Sequence, residues 1–123
     1  MSWNRLYGRM DPRLAPTLEP STHDIAWAAG IYEGEGSCRF SGSQYVCVTQ
    51  KGQWLPLRLR ALFGGSVSGP RGDGLYQWVL AGARARGFLM TVYGVLSPRR
   101  QAQVLGVLRP SHKLTFVFRS DGR

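Results

Sequence analysis

A chain of 123 residues, 43% of them hydrophobic, can bury one real core but not two. Its formal net charge is +9 and its isoelectric point about 10.6, and because only Lys51 and Lys113 are lysines, arginine carries nearly all of the positive charge. That balance argues for an anionic partner, of which nucleic acid is the commonest, over a merely solvated basic surface or the arginine-rich composition of a GC-rich genome. No stretch approaches the roughly 18 apolar residues of a membrane span, and residues 1–16 hold no apolar run of the secretory kind. The expected location is therefore intracellular, with no membrane partner. Cys38 and Cys47 are too few for a disulfide framework, and no Cys/His cluster of metal-binding type exists, so reduced thiols are expected.

Residues 1–20 read as a flexible basic arm, with three prolines and the acids Asp11 and Glu19. A domain over 21–110 follows, then a tail over 111–123. In "STHDIAWAAGIYE", Ser21 or Thr22 is placed to cap a helix and Asp24 sits in its positive first turn, with Gly34 and Gly36 expected to break it. "SCRFSG" and "YVCVTQ" are alternating runs around Gly42 and Ser43, a hairpin signal. "WLPLRLRALFGG" places Leu55, Leu59, Leu62 and Phe63 at helical spacing before a Gly-Gly stop.

A second hairpin is expected in "SVSGPRGDGLYQWVLAG", with Pro70, Gly72 and Gly74 in its loop. "ARARGFLMTVYGVL" then resumes a helix with Phe88, Leu89, Val92 and Leu96 on one side. Pro98 opens a last basic helix that Pro110 ends, and "KLTFVFR" in the tail alternates like a strand. The order α-β-β-α-β-β-α-α predicts an α+β fold, a four-stranded antiparallel sheet with helices on one face. Alternation assigns Cys38, Phe40, Val46, Val48, Tyr76, Trp78 and Leu80 to the covered face. Arg39, Ser41, Tyr45, Cys47, Thr49 and Gln77 fall on the open face, with Arg71 at the loop. The two cysteines then point to opposite faces and cannot bridge.

The stretch "AAGIYEGEG", Ala28 to Gly36, resembles the motif of the LAGLIDADG homing endonucleases position for position. Ala29 and Gly30 match its central Ala-Gly, Glu33 its first acid, and Glu35-Gly36 its final acid-glycine. "VTQK" at the end of the second strand, "YQWVL" in the fourth and "SPRRQAQ" at a late helix fit the same pattern, so the resemblance spans residues 22 to about 108. It implies an α-β-β-α-β-β-α fold whose open sheet face lies in the DNA major groove. A single copy of the motif implies the homodimeric class. Both acids are glutamate here, Trp54 stands where members often place a basic or polar residue, and the family's late basic residue maps to Arg99 or Arg100.

On this resemblance the chain is expected to make a double-strand break with short 3′ overhangs in a long, near-palindromic DNA target. Ala26, Gly30 and Gly34 lie four apart on one helix face with Ala29 beside them, which lets a second backbone approach closely. Paired across a two-fold axis, with Glu33 bonding across it, that face would bring two Glu35 carboxylates together. Divalent cations relieve such repulsion, and carboxylate suits Mg²⁺. Mn²⁺ is expected to substitute and Ca²⁺ to support binding without cleavage. Glu35 would be the metal ligand, with the Gly34 carbonyl as a further candidate. Gln50 would position water, and Lys51 with Arg99 or Arg100 would stabilise phosphate charge.

Arg39 and Arg71 are the candidates for reading guanine, since a guanidinium matches its edge bidentately. Ser41, Tyr45, Cys47, Thr49, Ser68 and Gln77 are adaptable DNA contacts beside them. Arg58, Arg60, Arg84 and Arg86 read as phosphate contacts or solvated helix faces, and His23 and His112 as incidental. One alternative keeps the fold without the chemistry, as a DNA-binding regulator or an RNA-binding splicing cofactor. Another is a small basic ribosome-associated protein with no two-fold and no metal dependence.

Overall fold

The computed structural model describes residues 12–109. The outer part of the expected arm, His112, Lys113 and the tail lie outside the described residues. Within them, helix α1 (Thr22–Glu35) leads into strands β1 (Gly36–Phe40) and β2 (Gln44–Gln50). Helix α2 (Trp54–Phe63), strands β3 (Ser66–Ser68) and β4 (Tyr76–Ala81), and helices α3 (Ala83–Val92) and α4 (Pro98–Leu108) follow. The strands form one antiparallel sheet in the order β1-β2-β4-β3. No helix among the described residues is long and apolar enough to cross a membrane.

Local chemistry sets each boundary. Ser21 is the cap of α1: its hydroxyl accepts the Asp24 N–H at 3.1 Å while the Asp24 carboxylate accepts the Ser21 N–H at 2.9 Å. These bonds hold the Asp24 carboxyl below its usual range, with the nearby Arg58 adding to the effect. The expected break at Gly34 does not occur. The helix runs through it to Glu35 and ends where Gly36 turns extended (φ −87°, ψ 164°). Pro56 sits in the first turn of α2, where its missing N–H costs no hydrogen bond, and is buried. The helix expected to reach Leu96 stops at Val92, and a single tight turn over Tyr93–Val95 carries the chain to Ser97.

Cross-strand register confirms the two faces. Cys38 pairs with Val46, Val48 with Trp78, and Val67 with Trp78, so these share the helix-covered side. Val46, Val48, Trp78 and Leu80 are buried there against Ala28, Tyr32, Leu59, Leu89 and Val92. Phe88 is the hub, its ring meeting Tyr32, Phe63 and Trp78 edge to face at 6.0, 5.0 and 5.4 Å. The Trp78 indole donates to the Gly64 carbonyl at 2.8 Å. Phe40 departs from expectation: it shares the apolar face by register with Gln44 but lies at a strand end without cover, 43% exposed. Cys38 and Cys47 are free and face opposite sides.

The part of the expected arm that is described is fastened rather than loose. Thr17 and Leu18 donate backbone hydrogen bonds to the Ala61 carbonyl at 2.9 and 3.0 Å, and Gly65 donates to Leu14 at 2.7 Å. This close approach explains Gly64. Its φ of 82° is the left-handed region, and a Cβ there would collide with the Leu14 carbonyl.

Candidate active site and nucleic-acid interface

One end of the sheet gathers the end of α1, the start of β1, the end of β2 and the start of β4. Gly36 pairs with Val48, so the same register carried one residue back sets Glu35 beside Thr49. Gln50 pairs with Tyr76, bringing Leu75 next to Lys51. An open cleft of about 640 Å³ forms there, lined by Gly34, Glu35, Gly36, Thr49, Gln50, Lys51, Leu75 and Arg100. Glu35, Gln50 and Lys51 thus meet in one place although 15 residues separate the first two in sequence. Of the two candidate arginines, Arg100 lines the cleft and Arg99 does not.

Arg100 is held rather than free. Its Nε donates to the Glu33 carbonyl at 3.1 Å, one terminal nitrogen donates to Gln103 Oε1 at 3.2 Å, and its guanidinium lies 5.3 Å from the Tyr32 ring centre. Tyr32 is fully buried, and burial first, then the Cys38 thiol, push its phenol far above its ordinary value. The ring therefore stays neutral and serves as a platform. Sequence reasoning passed over Tyr32; the signal was its position one helical turn before Glu35 and four residues before Gly36.

That ring also explains the glycine after Glu35. A Cβ on Gly36 would collide with the Tyr32 ring, whose Cγ would stand 2.8 Å away. The ring is boxed in by Phe88 on one side and Arg100 on another, so it cannot swing clear. Gly36→Ala should cost about 1–3 kcal/mol, the usual range for overpacking. Chemical denaturation checks this, and a midpoint equal to the parent's would refute it.

Glu33, expected at a dimer interface, has an intrachain role within this protomer. Its carboxylate accepts the Ser97 N–H at 2.8 Å and the Ser97 hydroxyl at 2.7 Å, closing the N-terminus of α4. Ser97 Oγ in turn accepts the Arg100 N–H at 3.3 Å. The Ser97 backbone bond first, the Ser97 hydroxyl next, and then the charges of Arg100 and Arg99 hold the Glu33 carboxyl below its usual range. A carboxylate at a helix N-terminus also matches the helix dipole. Because the folded pKa is depressed, this contribution is complete above the ordinary carboxylate value of 4.5 and is lost as pH falls through the folded value. Melting curves taken from neutral to acid pH should show the advantage of the parent over Glu33→Gln shrinking to nothing below that window. An advantage that persists in acid would assign the bonds no such role.

Glu35 has no comparable structural reason. It is exposed at the C-terminal end of α1, where a carboxylate opposes the helix dipole. Lys51 and Arg100 line the same cleft. Hard oxygen donors at the cleft (the Glu35 carboxylate, the Gly34 carbonyl and the Thr49 and Gln50 side chains) suit a cation such as Mg²⁺. Among the described residues, however, no group of three or more His, Cys, Asp and Glu could hold a metal. The cleft of one chain supplies a single carboxylate, that of Glu35.

From this end the other face of the sheet runs outward. Arg39, Tyr45, Cys47, Thr49, Ser68 and Gln77 all point to it by register, and each is half-buried or exposed. Ser41 is exposed in the β1–β2 turn. Arg71, in the β3–β4 loop, is engaged by Asp73 through contacts of 3.1 and 3.4 Å. Arg58 pairs with Asp24 at 3.3 Å, and Arg86 donates to Gln44 Oε1 at 3.0 Å. Both therefore bind within the chain.

On α1, Ala26, Gly30 and Gly34 share an exposed face with His23, and a Cβ on either glycine would meet nothing within 4 Å. Ala29, expected beside them, is instead buried in the core at 4% exposure. Trp54 is 69% exposed and stands edge-on to Trp27 at 6.1 Å, and it does not line the cleft.

No protein-family model matches the sequence, and no curated protein does either. Solved structures do. The homing endonuclease I-CvuI in complex with its target in the presence of Ca has a TM-score of 0.61 at 20% identity, covering 71% of this chain and 64% of that one. The same enzyme with the I-CreI target in the presence of Mg, its DNA not cleaved, gives 0.60 with the same identity and coverage. The homing endonuclease I-TnaI gives 0.52 at 18% identity over 69% of each chain. The chain thus spans a little under two thirds of the I-CvuI chain. The antiparallel sheet, the helices on one face and the acid-bearing helix that feeds the first strand together give this chain the homing-endonuclease fold.

Proposed function

We propose that this protein is a homodimeric, divalent-metal-dependent endonuclease that makes a double-strand break in a long, near-palindromic DNA site. The observation that carries the proposal is the convergence of Glu35, Gln50, Lys51 and Arg100 in one cleft, at the end of a polar sheet face with no helix over it. A cation bound there would supply Lewis-acid activation of phosphate and water. Glu35 would hold it, and the Gln50 amide would orient the attacking water. Lys51 and Arg100 would balance the charge on the phosphate, with Arg100 pre-set by Tyr32 and the Glu33 carbonyl.

The dimer reading rests on the bare face of α1. A glycine inside a helix costs about 1 kcal/mol relative to alanine, and neither Gly30 nor Gly34 offsets that by intrachain packing. A second copy of α1 would, and it would bring the two clefts together at the two-fold axis.

The test is to incubate the protein with randomised, near-palindromic duplexes in Mg²⁺ and to sequence the ends produced. Recurrent cut ends with short 3′ overhangs support the proposal. DNA that is enriched by binding yet never cut would make the protein a binder on this fold.

A further inference from the structure

Given the DNA-binding reading, we propose that Arg39, braced by Tyr45, is the guanine-reading residue of the sheet, and that its base lies about four base pairs outward from the one facing Thr49 and Gln77. Arg39 is the only arginine in the four strands, and it lies on the face opposite the helices. Tyr45 is its direct cross-strand partner, and the guanidinium carbon sits 4.6 Å from the centre of the Tyr45 ring. The ring takes the flat face of the guanidinium and leaves its N–H edge free. That edge is what matches guanine O6 and N7. An unbraced arginine must lose rotamer freedom to make the same two bonds, whereas this one is largely ordered beforehand. The other candidate, Arg71, is not comparable: Asp73 occupies its guanidinium, and Asp73 is itself fixed by the Leu75 N–H at 3.0 Å.

Strand geometry sets the spacing. Thr49 lines the cleft and pairs with Gln77. Tyr45 is four residues further along β2, which at about 3.3 Å per residue is about 13 Å. Base pairs rise about 3.4 Å each, so this distance spans about four of them when a strand lies along the groove. Between the two levels Cys47 pairs with Val79, an apolar step suited to a thymine methyl group.

The experiment selects bound duplexes from a randomised library in Ca²⁺, which is expected to support binding without cleavage. It uses the full-length parent, Arg39→Ala, Tyr45→Leu and Tyr45→Phe, each with an unchanged circular-dichroism melt. The parent pool should prefer guanine at one position per half-site. Arg39→Ala should lose that preference alone, by about tenfold or more. Tyr45→Leu should weaken the same position while Tyr45→Phe, which keeps the ring, retains it. A guanine preference that is absent, or that survives Arg39→Ala, overturns the inference while leaving DNA recognition intact. An equal loss in Tyr45→Phe and Tyr45→Leu overturns the bracing role. A parent that selects no DNA at all overturns the functional proposal and this inference with it.

Discussion

Glu35→Gln is expected to reduce strand cleavage by about a thousandfold or more while the protein still binds its DNA target. The substitution keeps the shape and removes one negative charge, so the two activities should separate. Glu35 lies at the helix end whose partial charge is already negative, and the cleft around it faces the phosphate backbone in the proposed complex. Without a cation, its carboxylate repels DNA, so the glutamine variant should bind in chelator at least as tightly as the parent. With a cation, the carboxylate is the one protein charge in the cleft able to hold it, since Lys51 and Arg100 have the wrong sign. Cleavage gels in Mg²⁺ and mobility shifts in chelator read the two effects independently. Cleavage at the parent's rate would remove Glu35 from the chemistry. Equal loss of cleavage and binding would make it a structural residue.

The parts of this site that sequence made legible are those with short-range causes. Ser21 and Asp24 sit three residues apart and cap each other, so the start of α1 was readable. Alternation along β1 and β2 separated Val46 and Val48 from Tyr45, Cys47 and Thr49 because strand periodicity is local. The convergence of Glu35 with Gln50 and Lys51 came from a matched motif, and antiparallel register is its physical cause.

What stayed illegible depends on contacts across the fold. Glu33 meets Ser97 across 64 residues, and no local pattern distinguishes an acid that caps a distant helix from one that crosses a dimer axis. Choosing between Arg99 and Arg100 required the rotational phase of α4 against α1, which the Arg100 bond to the Glu33 carbonyl fixes. The hydrogen bonds that dock residues 14–18 onto the end of α2 join backbone groups, so they left no side-chain signature in the sequence. Arg71 is the instructive case in the other direction. Asp73 stands two residues away in "RGDG", and that pairing was open to view.

Gly30→Leu should leave each protomer folded, and slightly more stable, while abolishing double-strand cleavage. The two halves of that expectation have separate causes. Within one chain a Cβ at Gly30 has nothing within 4 Å, and the position is exposed, so the protomer can accept the side chain. Leucine is also a better helix former than glycine by about 0.5–1 kcal/mol, so the melting temperature should rise modestly. Between chains the effect reverses. Helices that approach through glycine and alanine leave no room for an isobutyl group on the contact face, so the proposed pair cannot close. Separated protomers hold one Glu35 each, and the described residues of one chain hold no group of three His, Cys, Asp or Glu that could bind a metal. Cleavage should therefore vanish with the dimer, while circular dichroism still reports a folded chain. Sedimentation at a fixed concentration would show the parent as a dimer and the variant as a monomer. A variant that remains dimeric and active would move the interface away from the bare face of α1, and the exposed glycines would then need another cause.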